Sequence, residues 1–289
     1  MNPAPSVIIF TVLSGLGFGY LALLGAVLRP QGWMAFAQWG LGYGLAVVGL
    51  AASAFHLGNP QRALLAFTQW RSSWLSREAW AAVLTLVLLA PVALSDWLGL
   101  GWPRFLGFVG AAMCLVTIAA TSMIYTQIKA VPRWHHPSVP LVFLGFALSG
   151  GAILAFGSSL VLLPLAGLGA ALIWHWQAGD GAFARAGSTL ETATGLGRMG
   201  TAQVFELPHT GGNYLLHEMI YVVGRRHAQK LRVIALGAAV VGPTLVLALA
   251  QGPLAAIVAL ALYLLGAFAQ RWLFFAEAEH VVGLYYGKR

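Results

Sequence analysis

Eight runs of about 20 mostly apolar residues divide this chain, and they constrain its fold more than any other feature. A run of that length crosses a hydrocarbon layer of about 30 Å when it is helical. The runs cover approximately residues 5–28, 38–57, 78–97, 104–127, 138–156, 159–177, 231–250 and 253–276. The sequence therefore predicts an all-α integral membrane bundle of eight transmembrane helices, with residues 1–289 forming a single membrane domain.

The composition excludes an ordinary soluble domain. Hydrophobic residues make up 59% of the chain and charged residues only 8%, whereas soluble domains carry about 25% charged residues. The first apolar run lacks a basic segment before it and a small-residue cleavage site after it, which predicts a retained helix and not a signal peptide. The single cysteine, Cys114, can form neither an internal disulfide nor a Cys-ligated zinc or iron–sulfur site. Any such cluster must belong to a partner.

Basic residues are distributed unevenly between the two sides of the predicted bundle. Eight crossings place both termini and the loops after helices two, four and six on one side, where 14 of the 16 Lys and Arg residues fall, leaving Arg29 and Arg104 opposite. Basic loops tend to stay in the cytoplasm, so we expect both termini there and the protein in the bacterial inner (cytoplasmic) membrane. Orientation then accounts for the net charge of +8, and no nucleic-acid partner is expected.

Polar residues concentrate between the second and third helices. Gly58 and Pro60 are predicted to end helix two, which places His56 in its last turn, and Ser76 is predicted to begin helix three with Glu78 in its first turn. The loop is expected to bring an imidazole, a carboxylate, three guanidinium groups and a tryptophan to one patch of the membrane surface. These residues are His56, Glu78, Arg62, Arg71, Arg77 and Trp74. Taken singly, the histidine could be a capping residue and the arginines plain topology signals.

The combination is typical of a quinone site. Two-electron reduction of a quinone takes up two protons, so such a site needs donors to both carbonyl oxygens and a group that titrates near neutrality. His56 is predicted to be the proton donor and Glu78 to relay protons from cytoplasmic water. The three arginines, Arg62, Arg71 and Arg77, are expected to stabilise negative charge on the reduced ring, with Trp74 as a further binding residue.

Two other classes of function stay open on the residues alone. A solute transporter or ion channel would need a polar path through the bilayer, yet no ionisable residue is predicted at the middle of a helix. A pure anchor with an incomplete quinone site is the other alternative.

The segments around this loop resemble a known family. Residues 55–60, Phe-His-Leu-Gly-Asn-Pro, and residues 73–78, Ser-Trp-Leu-Ser-Arg-Glu, resemble the DmsC-type membrane anchors of molybdoenzymes, as does the eight-helix plan. The resemblance implies a subunit without catalytic metal that binds ubiquinone or menaquinone. Its implied partners are a four-cluster [4Fe-4S] subunit and a large subunit with molybdenum bis(pyranopterin guanine dinucleotide). The family's functional histidine and acid fall on His56 and Glu78.

Residues 178–230 are expected to form a cytoplasmic loop between helices six and seven. Gly195-x-Gly197-x-x-Gly200 formally matches a dinucleotide fingerprint, but no strand precedes it and no βαβ unit fits between two membrane helices. Apolar residues on one side of the segment from Leu215 to Lys230 predict an amphipathic helix that either lies on lipid head groups or docks the iron–sulfur partner. This loop resembles that of SoeC-type subunits of cytoplasmic sulfite dehydrogenases more than that of the DMSO reductase anchors.

The resemblance and the predicted orientation together indicate a reaction. Cytoplasmic partners on such an anchor imply oxidation of sulfite, with electrons passing to quinone; the alternative is a quinol-oxidising anchor of a DMSO reductase-like S- or N-oxide reductase. Haem b would need two imidazoles on facing helices, for which His56 and His175, with His280, are the candidates. Since the resembling anchors carry no haem, none is expected here.

Overall fold

The computed structural model describes residues 1–55, 59–206, 211–220 and 227–287. Within these ranges the chain is helical, without β-strand, and eight segments are long and apolar enough to cross a membrane. The first five spans are α1 Pro5–Ala26, α2 Gly32–Ala54, α3 Trp74–Leu98, α4 Phe105–Thr126 and α5 Ser138–Phe156. The sixth joins a 3-10 turn, Ser159–Val161, to α6 Leu162–Gly179. The predicted all-α bundle of eight spans is confirmed.

The remaining helices follow a loop that contains two short helices, α7 Ala182–Arg185 and α8 Leu190–Thr194. The seventh span joins α9 Ala228–Leu236 to α10 Gly242–Leu249 through a π-helical turn, Gly237–Val241. The eighth span is α11 Pro253–Ala276, and a 3-10 helix, Val281–Tyr286, ends the described chain.

Two boundaries next to the predicted site differ from expectation. α2 begins at Gly32 and ends at Ala54, with Phe55 as its C-cap; the prediction for His56 falls on a residue outside the described ones. α3 begins at Trp74, with Ser73 as an extended N-cap residue, and Glu78 therefore lies in its second turn. Helix three was predicted to begin at Ser76, two residues later than it does, and the polar side chains at 76–78 each have a partner within the fold, as described below.

α1 lies at the centre of the bundle, where α2, α4, α5 and α11 pack against it. A Cβ atom at Gly19 would overlap the carbonyl oxygen of Ala147 in α5, and one at Gly17 would overlap the backbone nitrogen of Ala46 in α2. The backbones of these helices are thus in direct contact, which is how helices associate closely in lipid.

An ion-pair cluster joins the ends of several spans. Arg232 Nη2 lies 2.6 Å from Asp180 Oδ1 and 2.6 Å from Glu277 Oε1. Arg133, in the loop before α5, lies 2.8 Å from Asp180 and 3.3 Å from Glu277. The cluster therefore fastens this loop to the ends of α6 and α11 and to α9.

The N-terminus meets the segment after the eighth span beside this cluster. The amino group of Met1 donates a 2.8 Å hydrogen bond to the carbonyl oxygen of Ala278, and the backbone N–H of Val281 donates to Ala130 at 2.9 Å. The N-terminus and the end of the eighth span consequently lie at the same end of the bundle.

A second ion pair holds the opposite end. Arg104 Nη1 lies 2.8 Å from both carboxylate oxygens of Asp96, and Arg104 Nη2 donates to the carbonyl oxygens of Leu24, at 2.8 Å, and Leu28. The indole of Trp39 donates to Asp96 at 3.1 Å. This pair joins the ends of α1 and α3 to the start of α4.

The segment between the sixth and seventh spans contains only short helices in its described parts. Residues Leu215–Met219 form one π-helical turn that ends at Ile220, which has φ −111° and ψ 56°. The middle of the predicted amphipathic helix, 221–226, lies outside the described residues, as does 207–210 earlier in the loop. Asn213 donates to the Tyr286 hydroxyl at 3.1 Å, which attaches this segment to the C-terminal 3-10 helix.

Candidate functional site

The loop between α2 and α3 is held against the first turns of α3. It contains a 3-10 helix, Pro60–Phe67, and the Ser76 hydroxyl donates to the carbonyl oxygen of Ala66 while accepting from the N–H of Gln69 at 3.1 Å. One turn further along α3, the Trp80 indole donates to the carbonyl oxygen of Phe67 at 3.0 Å. The loop conformation is therefore fixed by side chains of the following helix.

Arg77 completes this attachment. Its Nε donates to the carbonyl oxygen of Trp70 at 3.0 Å and its Nη2 to that of Arg71 at 2.7 Å. The guanidinium also lies 4.4 Å from the ring centre of Trp74, a cation–π geometry. Two predicted quinone-binding residues, Arg77 and Trp74, thus contact each other, and Arg77 also contacts the loop backbone. Arg71 is exposed, with its guanidinium 5.4 Å from the Trp70 ring centre.

A groove of about 390 Å³ opens beside the 3-10 helix. Its lining combines amide, hydroxyl and guanidinium groups with aliphatic side chains: Asn59, Arg62, Ala63, Leu65, Ala66, Gln69, Ser73 and Leu75. Of the predicted site residues, Arg62 lines the groove. His56 lies outside the described residues, three positions before Asn59 in the sequence.

The groove contains polar residues that the sequence did not single out. Asn59, Gln69 and Ser73 are common loop residues, and nothing in their spacing distinguishes a binding role from a turn. These residues come together because the 3-10 helix is attached to α3. No periodic pattern in the sequence predicts that attachment.

Glu78 lies in the interior of the bundle. Its side chain is 3% exposed, and one carboxylate oxygen accepts a 2.5 Å hydrogen bond from the Thr121 hydroxyl of α4. The prediction that Glu78 shares a surface patch with the arginines is therefore wrong. Successive residues of a helix are about 100° apart, so Arg77 faces the loop while Glu78 faces α4.

Thr121 also lines a small cavity of about 20 Å³ in the bundle core, together with Arg271 of α11. Arg271 is 3% exposed, and its guanidinium carbon lies 3.6 Å from the ring centre of Phe143. Its Nη1 atom has no hydrogen-bond partner within the described part of the chain. In the sequence, Arg271 counts only as one of the 14 basic residues on the predicted cytoplasmic side, and no buried role is predicted for it.

Comparisons with known proteins identify the family of this eight-span chain. Residues 1–164, more than half of the chain, match the family described as DMSO reductase anchor subunit (DmsC). The chain belongs to the DmsC family. A sulfite dehydrogenase subunit from Allochromatium vinosum is 30% identical over 325 aligned positions that cover 99% of each protein. No solved structure matches this chain.

The DmsC match, over residues 1–164, includes some of the polar residues described above but not all of them. It includes the groove, Glu78 and Thr121, whereas Arg271 and His175 lie in the remainder of the chain, which aligns with the sulfite dehydrogenase subunit. This DmsC-family protein is accordingly a multi-pass membrane anchor subunit of an oxidoreductase complex.

Among the described histidines of this DmsC-family chain, His175 is the buried one. It is 1% exposed, its Nδ1 lies 3.0 Å from the Ser138 hydroxyl, and its ring lies 6.0 Å from that of Phe274. The same hydroxyl lies 2.9 Å from His136 Nδ1, so these contacts connect a buried imidazole to a partly exposed one. No group of three or more metal-binding side chains occurs among the described residues, and the expectation that the chain carries no haem stays a prediction.

Proposed function

We propose that this subunit is the quinone-reactive anchor of a molybdenum and iron–sulfur oxidoreductase, and that it passes electrons from sulfite oxidation to quinone. Membership of the DmsC family supports the anchor role, and the full-length relative named as a sulfite dehydrogenase subunit supports the substrate. The proposed partners are a four-cluster [4Fe-4S] subunit and a large molybdenum subunit on the cytoplasmic side. Since Cys114 is the only cysteine, Cys-ligated clusters must reside in such a partner.

The groove beside the 3-10 helix is the observation that supports quinone binding. Its volume of about 390 Å³ falls within the range of about 300–1,000 Å³ that small-molecule sites occupy. Exposed Leu65 and Leu75 offer apolar contacts to a ring and its lipid-soluble tail. Arg62, Asn59 and Gln69 offer N–H donors, which are the groups that quinone carbonyl oxygens require.

We assign separate roles to the predicted site residues. Arg62 is proposed to stabilise negative charge on the reduced ring, and His56, close to Asn59 in sequence, to deliver a proton to it. Arg71 is proposed to add positive charge at the exposed rim. Arg77, with Trp74, is proposed to hold the loop that shapes the groove.

Glu78 is proposed to exchange protons with the site from the interior of the bundle. The carboxyl group is buried near the start of α3, where the N-cap residue Ser73 and Leu75 of the first turn line the groove. A protonatable side chain in this place can supply a proton without opening the site to bulk water. The acid also occupies the position at which the resembling anchors have their functional acid.

The test uses the complete complex purified with its partners. We expect sulfite to reduce a soluble quinone analogue, and the Arg62→Gln variant to do so at least tenfold more slowly while keeping its activity with an artificial acceptor that bypasses the membrane subunit. Arg198→Gln is the matched control, because Arg198 is also exposed but lies in the loop after α8. Unchanged quinone kinetics in both Arg62→Gln and His56→Ala would remove the groove as the quinone site.

The direction of electron flow is tested separately. The family description names DMSO reductase, which favours a quinol-oxidising anchor as the second candidate. The complex is therefore also given DMSO with the corresponding quinol. Rapid DMSO reduction without sulfite-dependent quinone reduction would reverse the direction while leaving the anchor role intact. The other functional class considered from the sequence was a solute transporter or ion channel. The family match indicates an anchor subunit instead.

A further inference from the structure

We propose that the cavity between Arg271 and Thr121 is a water-binding site, and that its water and the Thr121 hydroxyl together link the buried charges of Arg271 and Glu78 in the bundle core. The inference concerns the interior of the subunit and goes beyond the quinone reaction, on which it does not depend.

Arg271 Nη1 requires a partner that the described residues do not provide. A buried guanidinium without hydrogen-bonding or charged partners is strongly unfavourable. The rings of Phe143 and Phe146, 3.6 and 5.5 Å from the guanidinium carbon, attract the cation but accept no conventional hydrogen bond. Nη1 has no acceptor in the described part of the chain, and the atom belongs to a side chain that lines the cavity.

Glu78 is the buried acid connected to the same cavity. Thr121 donates its hydroxyl hydrogen to Glu78 at 2.5 Å and also lines the cavity with Arg271. Thr121 therefore contacts the buried acid and lines the same cavity as the buried arginine.

The hydrogen bonds of the cavity wall favour water over an anion. The hydroxyls of Thr11 and Ser14 donate to backbone carbonyl oxygens at 3.0 and 2.6 Å, and that of Thr121 donates to Glu78. All three hydrogens are therefore used, and these hydroxyl oxygens can only accept further hydrogen bonds. Arg271 can only donate. An occupant must accept from the arginine and donate to the hydroxyls, which water does and a halide or carboxylate does not.

The size of the cavity agrees with this occupant. The space open to the centre of a water molecule is about 20 Å³, and one water needs about 10–15 Å³ measured in this way. The cavity accordingly accommodates one or two water molecules, but no quinone ring.

The charge pairing is tested by the sign of one substitution in two backgrounds. Arg271→Gln is expected to lower the melting temperature of the purified complex, because it leaves the Glu78 carboxylate without its partner. In the Glu78→Gln background the same substitution is expected to raise the melting temperature, because it removes an arginine that has become unpaired. Equal changes of the same sign in both backgrounds would overturn the pairing.

The bridging hydroxyl has a matched control one turn away. Thr117 is as buried as Thr121 and lies on the same helix, but it bonds to Thr85 and to Met113 and does not line the cavity. The quantity compared is the change in melting temperature that Arg271→Gln causes with Glu78 present and in the Glu78→Gln background. Thr121→Val is expected to make these two changes equal, whereas Thr117→Val is expected to leave them different. Loss of the difference in both variants, or in neither, would exclude Thr121 as the link.

Direct observation of the site needs no variant. We expect a map of the wild-type complex, at a resolution that shows ordered water, to contain density within about 3.2 Å of both Arg271 Nη1 and the Thr121 hydroxyl. The density is expected to stay the same when bromide replaces chloride in the buffer. An anomalous bromide signal in the cavity would show that the occupant is an anion and not water, which would overturn the proposal. An empty cavity would overturn it as well.

Discussion

Arg77 and Glu78 are adjacent in sequence, yet their side chains serve opposite sides of α3. The Arg77 guanidinium donates to two carbonyl oxygens of the preceding loop at 3.0 and 2.7 Å, whereas the Glu78 carboxylate accepts from Thr121 in the bundle core at 2.5 Å. Substitutions at these two positions should therefore change different properties of the protein.

Arg77→Gln should loosen the loop without affecting the core. Loss of hydrogen bonds from a charged donor to backbone carbonyls costs about 1.5–3 kcal/mol, and every 1.4 kcal/mol increases the open population about tenfold. Trypsin should consequently cut after Arg62 and Arg71 at least tenfold faster in the variant complex. Arg198→Gln should leave both cleavage rates unchanged; equal acceleration in that control would point to a general loss of stability.

Glu78→Gln should leave the complex assembled and slow quinone turnover at least tenfold, which corresponds to about 1.4 kcal/mol of activation free energy. The amide keeps an oxygen that can accept from Thr121, but it cannot release or take up a proton. The measurement compares quinone reduction with reduction of an artificial acceptor in the same membranes. Unchanged quinone kinetics would assign Glu78 a structural role alone.

Helix periodicity and hydropathy predicted the number and approximate positions of the spans because each span satisfies its own backbone hydrogen bonds in lipid. The start of α3 was placed two residues late, at Ser76, because serine is favoured at helix starts and Ser73, the observed N-cap, is followed three residues later by a second serine. Whether such residues continue a helix depends on tertiary contacts such as the bond from Ser76 to Ala66.

The candidate site was predictable only in part, because tertiary contacts also determine which residues line it. A local motif indicated the loop and its arginines, and one of these, Arg62, lines the groove. The role of Arg271 could not be predicted, since its surroundings come from α1, α4 and α5, which are distant in sequence. A lone arginine near the end of an apolar run carries no signal that distinguishes burial from exposure to water.

Arg104→Ala should destabilise the end of the bundle opposite the ion-pair cluster. Arg104 and Asp96 are both largely buried, and removal of one partner leaves the other charge uncompensated. Breaking such a pair costs about 3–5 kcal/mol, which should appear as a clear fall in the melting temperature of the purified complex. Arg29→Ala provides the control, because Arg29 is exposed near the same end; a similar fall there would show that the ion pair is not the cause.

Acid should weaken the ion-pair cluster of Arg133, Asp180, Arg232 and Glu277. Hydrogen bonding to Arg232, followed by that to Arg133, lowers the pKa of Asp180 from its ordinary 3.8 to about 2. Because the pKa of Asp180 is lower in the folded than in the unfolded state, its ionised carboxylate stabilises the fold. This contribution is complete above about pH 4 and is lost as the pH falls towards 2. The Asp180 side chain is half exposed, so solvent screening reduces the effect to about 1 kcal/mol.

The measurement is the melting temperature of the complex between pH 2 and pH 7. Asp180→Asn should be less stable than the wild type at neutral pH and should lose less stability between about pH 4 and pH 2. An acid transition of undiminished size in the variant would show that another group determines the acid sensitivity.

A reporter fused after Arg289 should be active in the cytoplasm. The Met1 amino group bonds to Ala278, so the N-terminus and the end of the last span share one side of the bundle. An outward orientation would also require translocation of Arg225, Arg226 and Lys230 close to the seventh span, against the charge rule where it acts most strongly. A fusion active only in the periplasm would place the groove outside, and the catalytic partners would then have to dock on that side of the membrane.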